Sequence, residues 1–292
     1  MMRNAREYCR PDSVQEVLAI LSRERPRAEP LAGGTHLMAD REDAAELLVD
    51  LQGLSLAYIK HSATAVAIGA MTRLSTLCES SELRSFAAGI LPDAARHACA
   101  SLLRNQRTLG GELMACRCDG ALAAALIVLD ATVRMVGPEG QRTSTSADFY
   151  RRFRGTGDGT RLKDLILEVS IPEPPAGAHI RCERIARSPM DRAIMIVIAM
   201  TRLNRNMIEE IRIVFAGCGM LPARLLELEA RLVGTPANAD LVFSSVREAA
   251  ETIEMPDDHL ASSAYRRAML PVLTRRAVLG IQECAGTGYS AA

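Results

Sequence analysis

Hydrophobic residues at the start of the chain alternate between short extended runs and one helical stripe. The stripe follows Asp12 and Ser13, either of which can cap a helix, and it consists of Val14, Val17, Leu18 and Leu21. Extended runs at 8–10, 31–32 and 47–51 surround this stripe, and a short helical piece is expected after Thr35. The pattern predicts a small β-α-β-α-β unit.

The middle of the chain mixes strand and helix patterns. Runs at 57–59 and 65–70 predict a hairpin, and Thr72 is placed to cap a helix through Leu74 and Leu77. Further helices are expected at about 91–103 and 119–130. Further strands are expected at 132–136, 141–144 and 165–171, the first two joined by a Gly-Pro-Glu-Gly turn.

A Pro-Pro-x-Gly stretch at 173–177 marks the clearest boundary in the chain, because it interrupts both kinds of periodic structure. Beyond it, apolar runs predict three strands at 179–185, 193–200 and 208–216. Helical patterns follow at 222–232, about 240–254 and 263–282. The last of these contains Arg266, Arg267, Arg275 and Arg276, which form either a docking surface for a partner or a solvated face.

Composition excludes several classes of protein. The 292 residues are 48% hydrophobic and 24% charged, as in soluble globular proteins. Lys+Arg 35 balances Asp+Glu 35, so the chain lacks the positive charge typical of nucleic-acid binding. No apolar run reaches the roughly 20 residues that span a membrane, and the first residues lack an apolar signal core. We therefore expect a cytoplasmic protein without nucleic-acid or membrane partners.

Metal and hydrolytic chemistry find little support in the sequence. Of 8 cysteines only Cys116 and Cys118 are close together, and they are either two loop thiols or part of a metal site. The five histidines form no H-x-x-x-H or H-E-x-x-H motif, and no G-x-S-x-G elbow occurs. No pair of carboxylates stands out as acid and base. We predict no metal site and no catalytic side chain.

Two double-glycine segments are the candidates for ligand binding. Gly33-Gly34-Thr35 follows a predicted strand, and Thr108-Leu109-Gly110-Gly111 lies between helical segments. Glycines let backbone N–H groups approach a ligand, and successive N–H groups form an anion cradle. Each segment alone is a weak signal, since most Gly-Gly turns are only turns. Together they suggest opposite walls of one dinucleotide site, although neither matches the Rossmann or P-loop pattern.

The same two segments carry a resemblance to a known family. Residues 32–38, Ala-Gly-Gly-Thr-His-Leu-Met, are similar to A-G-G-T-[DS]-L, and residues 104–112, Arg-Asn-Gln-Arg-Thr-Leu-Gly-Gly-Glu, to R-N-x-x-T-[IL]-G-G-[NE]. Both motifs occur in the FAD-binding (medium) subunits of xanthine dehydrogenase-type molybdenum hydroxylases, the carbon monoxide dehydrogenase flavoprotein family. Further strings of this family are matched in order at 10–13, 68–72, 129–142, 216–224 and 265–277.

The resemblance implies an α+β fold. It consists of a two-part FAD-binding α/β region of the PCMH type and a C-terminal α/β domain with a three-stranded antiparallel sheet and helices. On this chain the implied parts are FAD-binding subdomain 1 at 1–55, FAD-binding subdomain 2 at 56–172 and the C-terminal flavoprotein domain at 178–285. These boundaries follow from placing the family's parts on the predicted elements.

The implied function is electron transfer. Such subunits hold FAD. They receive electrons that come from a molybdopterin-binding subunit through the [2Fe–2S] clusters of another partner. They then pass these electrons to NAD or another acceptor. The flavin carries the redox chemistry, while the protein binds and orients it. Two alternatives stay open: a flavin-free structural or docking subunit of the same complex, and a stand-alone flavin reductase on the same scaffold.

Cofactor-binding residues carry over from the family motif by motif. Ala32, Gly33, Gly34, Thr35, His36 and Leu37 match the first loop, whose N–H groups from 33 to 37 would hold the FAD diphosphate. Thr108 and Gly111 match the second loop, where the threonine would donate to a phosphate or ribityl oxygen. Asp119 either contacts the adenosine or ribityl end or caps the following helix. His36 replaces an acidic or small residue of the family, and it either carries partial charge beside the diphosphate or points to solvent.

Overall fold

The computed structural model describes residues 5–39, 45–155, 164–188, 191–217 and 221–280. The strands are β1 (Glu7–Cys9), β2 (Ala28–Leu31), β3 (Leu47–Asp50), β4 (Ile59–His61), β5 (Ala65–Gly69), β6 (Thr132–Gly137), β7 (Gly140–Thr145), β8 (Leu165–Pro172), β9 (Ala178–Ile185), β10 (Met195–Asn204), β11 (Met207–Ala216) and β12 (Ala223–Arg224). The helices are α1 (Val14–Leu21), α2 (Leu74–Glu79), α3 (Ser81–Ser85), α4 (Ile90–Ala98), α5 (Ser101–Arg104), α6 (Leu109–Met114), α7 (Ala121–Val128), α8 (Ser146–Gly155), α9 (Leu226–Leu232), α10 (Ala239–Thr252) and α11 (Ser263–Leu279).

Two compact units divide the chain. The first unit contains residues 1–80, 95–117 and 130–173, and the second contains 81–94, 118–129 and 174–292. Both units mix helices and sheets, which agrees with the α+β class. The three domain boundaries stated above stay a prediction.

The first unit holds two sheets on a shared core. The small sheet is parallel in the order β1-β3-β2, and the larger is antiparallel in the order β4-β5-β8-β6-β7. Val17 of α1, Val49 of β3, Met71 and Leu167 of β8 are buried together in this core. The helix α1 starts where the sequence predicts, because the Ser13 hydroxyl accepts the Glu16 amide at 3.2 Å.

The second unit is built on an antiparallel sheet in the order β12-β11-β10-β9. The predicted three strands are present, and the two-residue β12 extends the sheet beyond β11. The β10–β11 hairpin turns through Arg205 and Asn206, whose φ values of 48° and 66° are typical of a type I′ turn. All eight residues of α7 are buried, and this helix packs on β10 and β11.

Three predicted helices differ from the structure. The helix expected at 91–103 is divided into α4 and α5, because the Arg104 guanidinium donates to the carbonyls of Arg96 and Cys99 at 2.9 and 2.6 Å and so ends α4. The helix expected from 222 begins only at Leu226, since 223–224 pair with β11. The N-cap position of α2 is Arg73 and not Thr72, and no side chain caps this helix.

Candidate functional site

The first double-glycine segment, which we call loop 1 (residues 32–37), follows the carboxyl end of β2. Its neighbour in the sheet is Asp50 at the end of β3, in register with Leu31. Asp50 is 2% exposed and accepts from the Gln52 amide and from Arg10 at 2.9 Å each. Burial raises the pKa of Asp50, but these bonds and one from the Tyr8 hydroxyl outweigh it and hold the pKa below its usual value. The strand end that carries loop 1 is therefore braced by a charged network.

Loop 1 presents unpaired backbone donors. Gly34 has a φ of +72°, and the loop closes as the Met38 amide donates to the Gly34 carbonyl at 2.8 Å. Within the described part of the chain, none of the five N–H groups from Gly33 to Leu37 donates to another protein group. Unpaired amides that follow one another in a turn form an anion-binding concavity. His36 is exposed, as in the solvent alternative.

The second double-glycine segment, which we call loop 2 (residues 104–111), lies directly against loop 1. A Cβ atom built on Gly33 would be 1.8 Å from the carbonyl oxygen of Gln106, far inside any real contact. Only a residue without a side chain allows this approach, which explains the glycine at 33. The two segments, about 70 residues apart in sequence, thus meet in space.

Loop 2 differs from loop 1 because the amides of Leu109, Gly110 and Gly111 already have protein acceptors. Leu109 donates to the Thr72 carbonyl at 2.9 Å, and Gly110 donates to the Ala70 carbonyl at 2.8 Å. The Gly111 amide donates to the Thr108 hydroxyl at 3.2 Å, so that Thr108 caps α6. Gly110 packs on Ala70, where an added Cβ would be 3.0 Å from the alanine Cβ. The glycines of loop 2 therefore serve helix capping and close packing.

A buried ion pair holds loop 2 in shape. The Arg107 guanidinium lies 3.0 Å from the Glu112 carboxylate, and their side chains are only 14% and 5% exposed. Breaking such a pair leaves a buried charge without its partner, which is costly. In the sequence Glu112 stands out only as a motif position, and the pair gives no signal there because its two residues are five apart and no pattern marks them as buried.

A cleft of about 210 Å³ opens where the two loops meet. Gly33 and Ala32 of loop 1 line it together with Gln106 and Thr108 of loop 2. Its other lining residues, which sequence reasoning did not identify, are Gln52, Leu54, Ala57, Met71 and Arg73. All of these residues belong to the first unit. The cleft joins the two segments that the sequence singled out.

Asp119 has a different environment from the loop residues. It belongs to the second unit, where it accepts from the Arg192 guanidinium at 2.8 Å, a hydrogen bond that raises the pKa of Arg192. It does not cap α7, because the cap position is Gly120. Cys116 and Cys118 are free thiols, and burial raises the pKa of Cys116 to about 12.

Over the described ranges, no three side chains of His, Cys, Asp or Glu come together as a metal site. Nor does any helix in those ranges have the length and apolar character to cross a bilayer.

Family comparisons cover nearly the whole chain. Residues 3–174 match the model of the FAD binding domain in molybdopterin dehydrogenase, and residues 182–281 match the CO dehydrogenase flavoprotein C-terminal domain. The glyceraldehyde dehydrogenase medium chain of Sulfolobus acidocaldarius is 29% identical over 92% of this chain and 96% of its own length. The carbon monoxide dehydrogenase medium chain of Afipia carboxidovorans is 29% identical over 93% of this chain and 95% of its own.

Solved structures agree with the sequence comparisons. A chain of carbon monoxide dehydrogenase from Hydrogenophaga pseudoflava superimposes with a TM-score of 0.85 at 26% identity, covering 95% of this chain and 97% of that one. A chain of quinoline 2-oxidoreductase from Pseudomonas putida 86 gives 0.84 at 25% identity, covering 96% and 98%. The fold predicted from the family resemblance is confirmed, and the family model confirms FAD as the cofactor.

Proposed function

The chain belongs to the family of FAD-binding subunits of molybdopterin dehydrogenases, and from that premise we propose that it is the electron-transfer flavoprotein subunit of a larger molybdenum hydroxylase. It receives electrons from the [2Fe–2S] clusters of a partner subunit and passes them to NAD or another acceptor. The relatives named above are medium chains of dehydrogenases. By these relatives the chain is closer to the carbon monoxide dehydrogenase type than to xanthine dehydrogenase.

The observation that carries the proposal is the row of unpaired amides in loop 1. The middle of FAD is a diphosphate with two negative charges, and backbone N–H groups are suitable donors for it. The groups from Gly33 to Leu37 are available for such acceptors, since the described protein supplies them none. Ala32, Gly33, Gly34, Thr35, His36 and Leu37 therefore form the diphosphate site, with the His36 side chain outside it.

Loop 2 contributes to the same site through Thr108. This hydroxyl accepts the Gly111 amide, but a threonine that accepts one hydrogen bond still carries a hydrogen to donate. The residue is 4% exposed and lines the cleft, so its O–H donates to a phosphate or ribityl oxygen. Gly111 keeps the space beside it free, because a Cβ there would lie 3.0 Å from the Thr108 hydroxyl oxygen.

Bound FAD supplies the redox chemistry, and the residues of this chain bind it and fix its orientation. No acid or base is required of the protein for this task, which fits the absence of any such pair in the sequence. The part that Asp119 would play as an adenosine or ribityl contact is compatible with its Arg192 bond, because a carboxylate accepts several hydrogen bonds.

Flavin binding is tested on the full-length chain by absorption and titration. We expect a two-band flavin spectrum, release of FAD on heating, and saturable quenching of flavin fluorescence when FAD is added back. At a free FAD concentration of 100 times Kd, binding stabilises the fold by about 2.7 kcal/mol. That corresponds to a rise in Tm of roughly 5–11 °C for a domain of this size. A colourless chain with no quenching and no rise in Tm would favour the flavin-free docking subunit.

The partners are tested by isolating the complex. We expect the chain to copurify with a [2Fe–2S] subunit and a molybdopterin-binding subunit, and we expect iron and molybdenum in the preparation. If the chain purifies alone from its host and transfers electrons from an added donor to an acceptor, it is the stand-alone reductase instead.

A further inference from the structure

The cleft between the loops contains one charged side chain, Arg73. Among the described residues that line the cleft, it is the only one that carries a formal charge. Its backbone is tied to loop 2, because Arg73 forms an antiparallel bridge with Thr108 and the next amide, of Leu74, donates to the Arg107 carbonyl at 2.9 Å. The position of Arg73 is therefore fixed relative to the loop that faces the ligand.

The neighbours of Arg73 determine where its side chain points. Thr72 is 2% exposed, and its hydroxyl donates to the Tyr58 carbonyl at 2.9 Å. Leu74 is fully buried. Since both flanking side chains enter the core, the side chain of Arg73 is left on the open side, and the residue is exposed and lines the cleft.

Arg73 also differs from three partly buried arginines of the same unit that pair with carboxylates. Arg107 pairs with Glu112, Arg134 with Glu168 at 3.3 Å, and Arg142 with Asp164. In the part of the chain that the structure describes, no protein group pairs with the guanidinium of Arg73. An arginine held at a cleft without a partner is suited to an anionic ligand.

We propose that Arg73 is a binding residue for the diphosphate of the flavin nucleotide, acting beside the amides of loop 1. The inference rests on the proposed FAD function and adds a charged donor to it. A guanidinium presents two parallel N–H donors that fit a phosphate and stays charged at any physiological pH. The amides of loop 1 supply hydrogen bonds and partial charges, while Arg73 supplies the full positive charge that the diphosphate requires.

The test compares FAD affinity of the wild-type chain, Arg73→Gln and Arg73→Lys at 0.1 M and 1 M NaCl. The screening length falls from about 10 Å to about 3 Å between these salt concentrations. Arg151→Gln is the matched control, because Arg151 is an exposed arginine of the same unit outside the cleft. Thermal unfolding without FAD checks that each variant is folded, and the flavin midpoint potential is measured on each loaded protein.

We expect Arg73→Gln to raise the Kd for FAD about tenfold at 0.1 M NaCl and much less at 1 M. The Kd of Arg73→Lys should lie between those of the wild type and Arg73→Gln, and the Kd of Arg151→Gln should match that of the wild type. The unfolding midpoint without FAD and the flavin midpoint potential stay the same in all variants.

Three results would overturn the assignment. One is an unchanged Kd in Arg73→Gln, and another is an equal loss at both salt concentrations, which would indicate shape and not charge. The third is a lowered midpoint potential in Arg73→Gln, which would place the guanidinium at the flavin ring. A wild-type chain that does not bind FAD would remove the proposed function together with this inference, whereas the other results concern Arg73 alone.

Discussion

Replacing Gly33 by alanine should separate the two loops and weaken FAD binding. The new Cβ would stand 1.8 Å from the Gln106 carbonyl oxygen, where ordinary contact begins at 3.4 Å. The backbones must therefore move apart by about 1.6 Å. A shift of that size takes an N–H donor out of the range of roughly 2.7–3.2 Å in which it bonds an oxygen.

The magnitude follows from the donors displaced. Each hydrogen bond to a charged group contributes about 1.5–3 kcal/mol. Displacing one or two loop 1 amides therefore costs about 3 kcal/mol of binding, a roughly hundredfold increase in Kd. The strain also lowers the stability of the fold without FAD by about 1–3 kcal/mol.

The assay is fluorescence titration with FAD at a temperature where the variant is folded. Gly137→Ala is the matched control, because its Cβ would stand 1.9 Å from the Asp164 carboxylate, in the same unit but outside the cleft. This control should lose stability and keep its affinity for FAD. If a folded Gly33→Ala variant bound FAD with wild-type affinity, close contact between loop 1 and loop 2 would not be needed for FAD binding.

Three further predictions concern stability. Glu112→Gln should lower the free energy of unfolding by about 3 kcal/mol in urea, because Arg107 keeps a buried charge, and a loss below 1 kcal/mol would show that water already screens the pair. Burial raises the pKa of Asp258, but the bidentate Arg266 and two backbone amides lower it to about 2. This stabilisation is therefore present above the unfolded pKa of about 4 and is lost as the pH falls towards 2. Asp258→Asn should flatten that acid dependence, and an unchanged profile would contradict the assignment. Ser13→Ala should cost about 1 kcal/mol through loss of the α1 cap, and Ser13→Thr should retain most of it.

Local chemistry in the sequence predicted those parts of the fold that depend on few residues. Ser13 caps α1, and the strands predicted after the 173–177 linker form the sheet of the second unit. The longer helix predicted at 91–103 was wrong, because its end depends on Arg104 folding back onto the carbonyls of Arg96 and Cys99. That contact leaves no trace in hydrophobic periodicity.

The candidate site was predicted in part. Glycine spacing pointed to the two loops, and their meeting at Gly33 and Gln106 is what a dinucleotide site needs. The sequence could not indicate that loop 1 keeps its amides free while the Leu109 and Gly110 amides of loop 2 are bonded, since that depends on the carbonyls of Thr72 and Ala70. Arg73 could not be identified from the sequence either, because it lies far from both glycine motifs and reaches the cleft only through the fold.

Hydrogen–deuterium exchange over loop 1, with and without FAD, shows whether its backbone amides hold the diphosphate. The five amides from Gly33 to Leu37 lack protein acceptors in the described structure, so they should exchange fast without ligand and become strongly protected when FAD binds. The Leu109 and Gly110 amides, already bonded, should change little. Saturating FAD that leaves residues 33–37 exchanging as before would contradict the account.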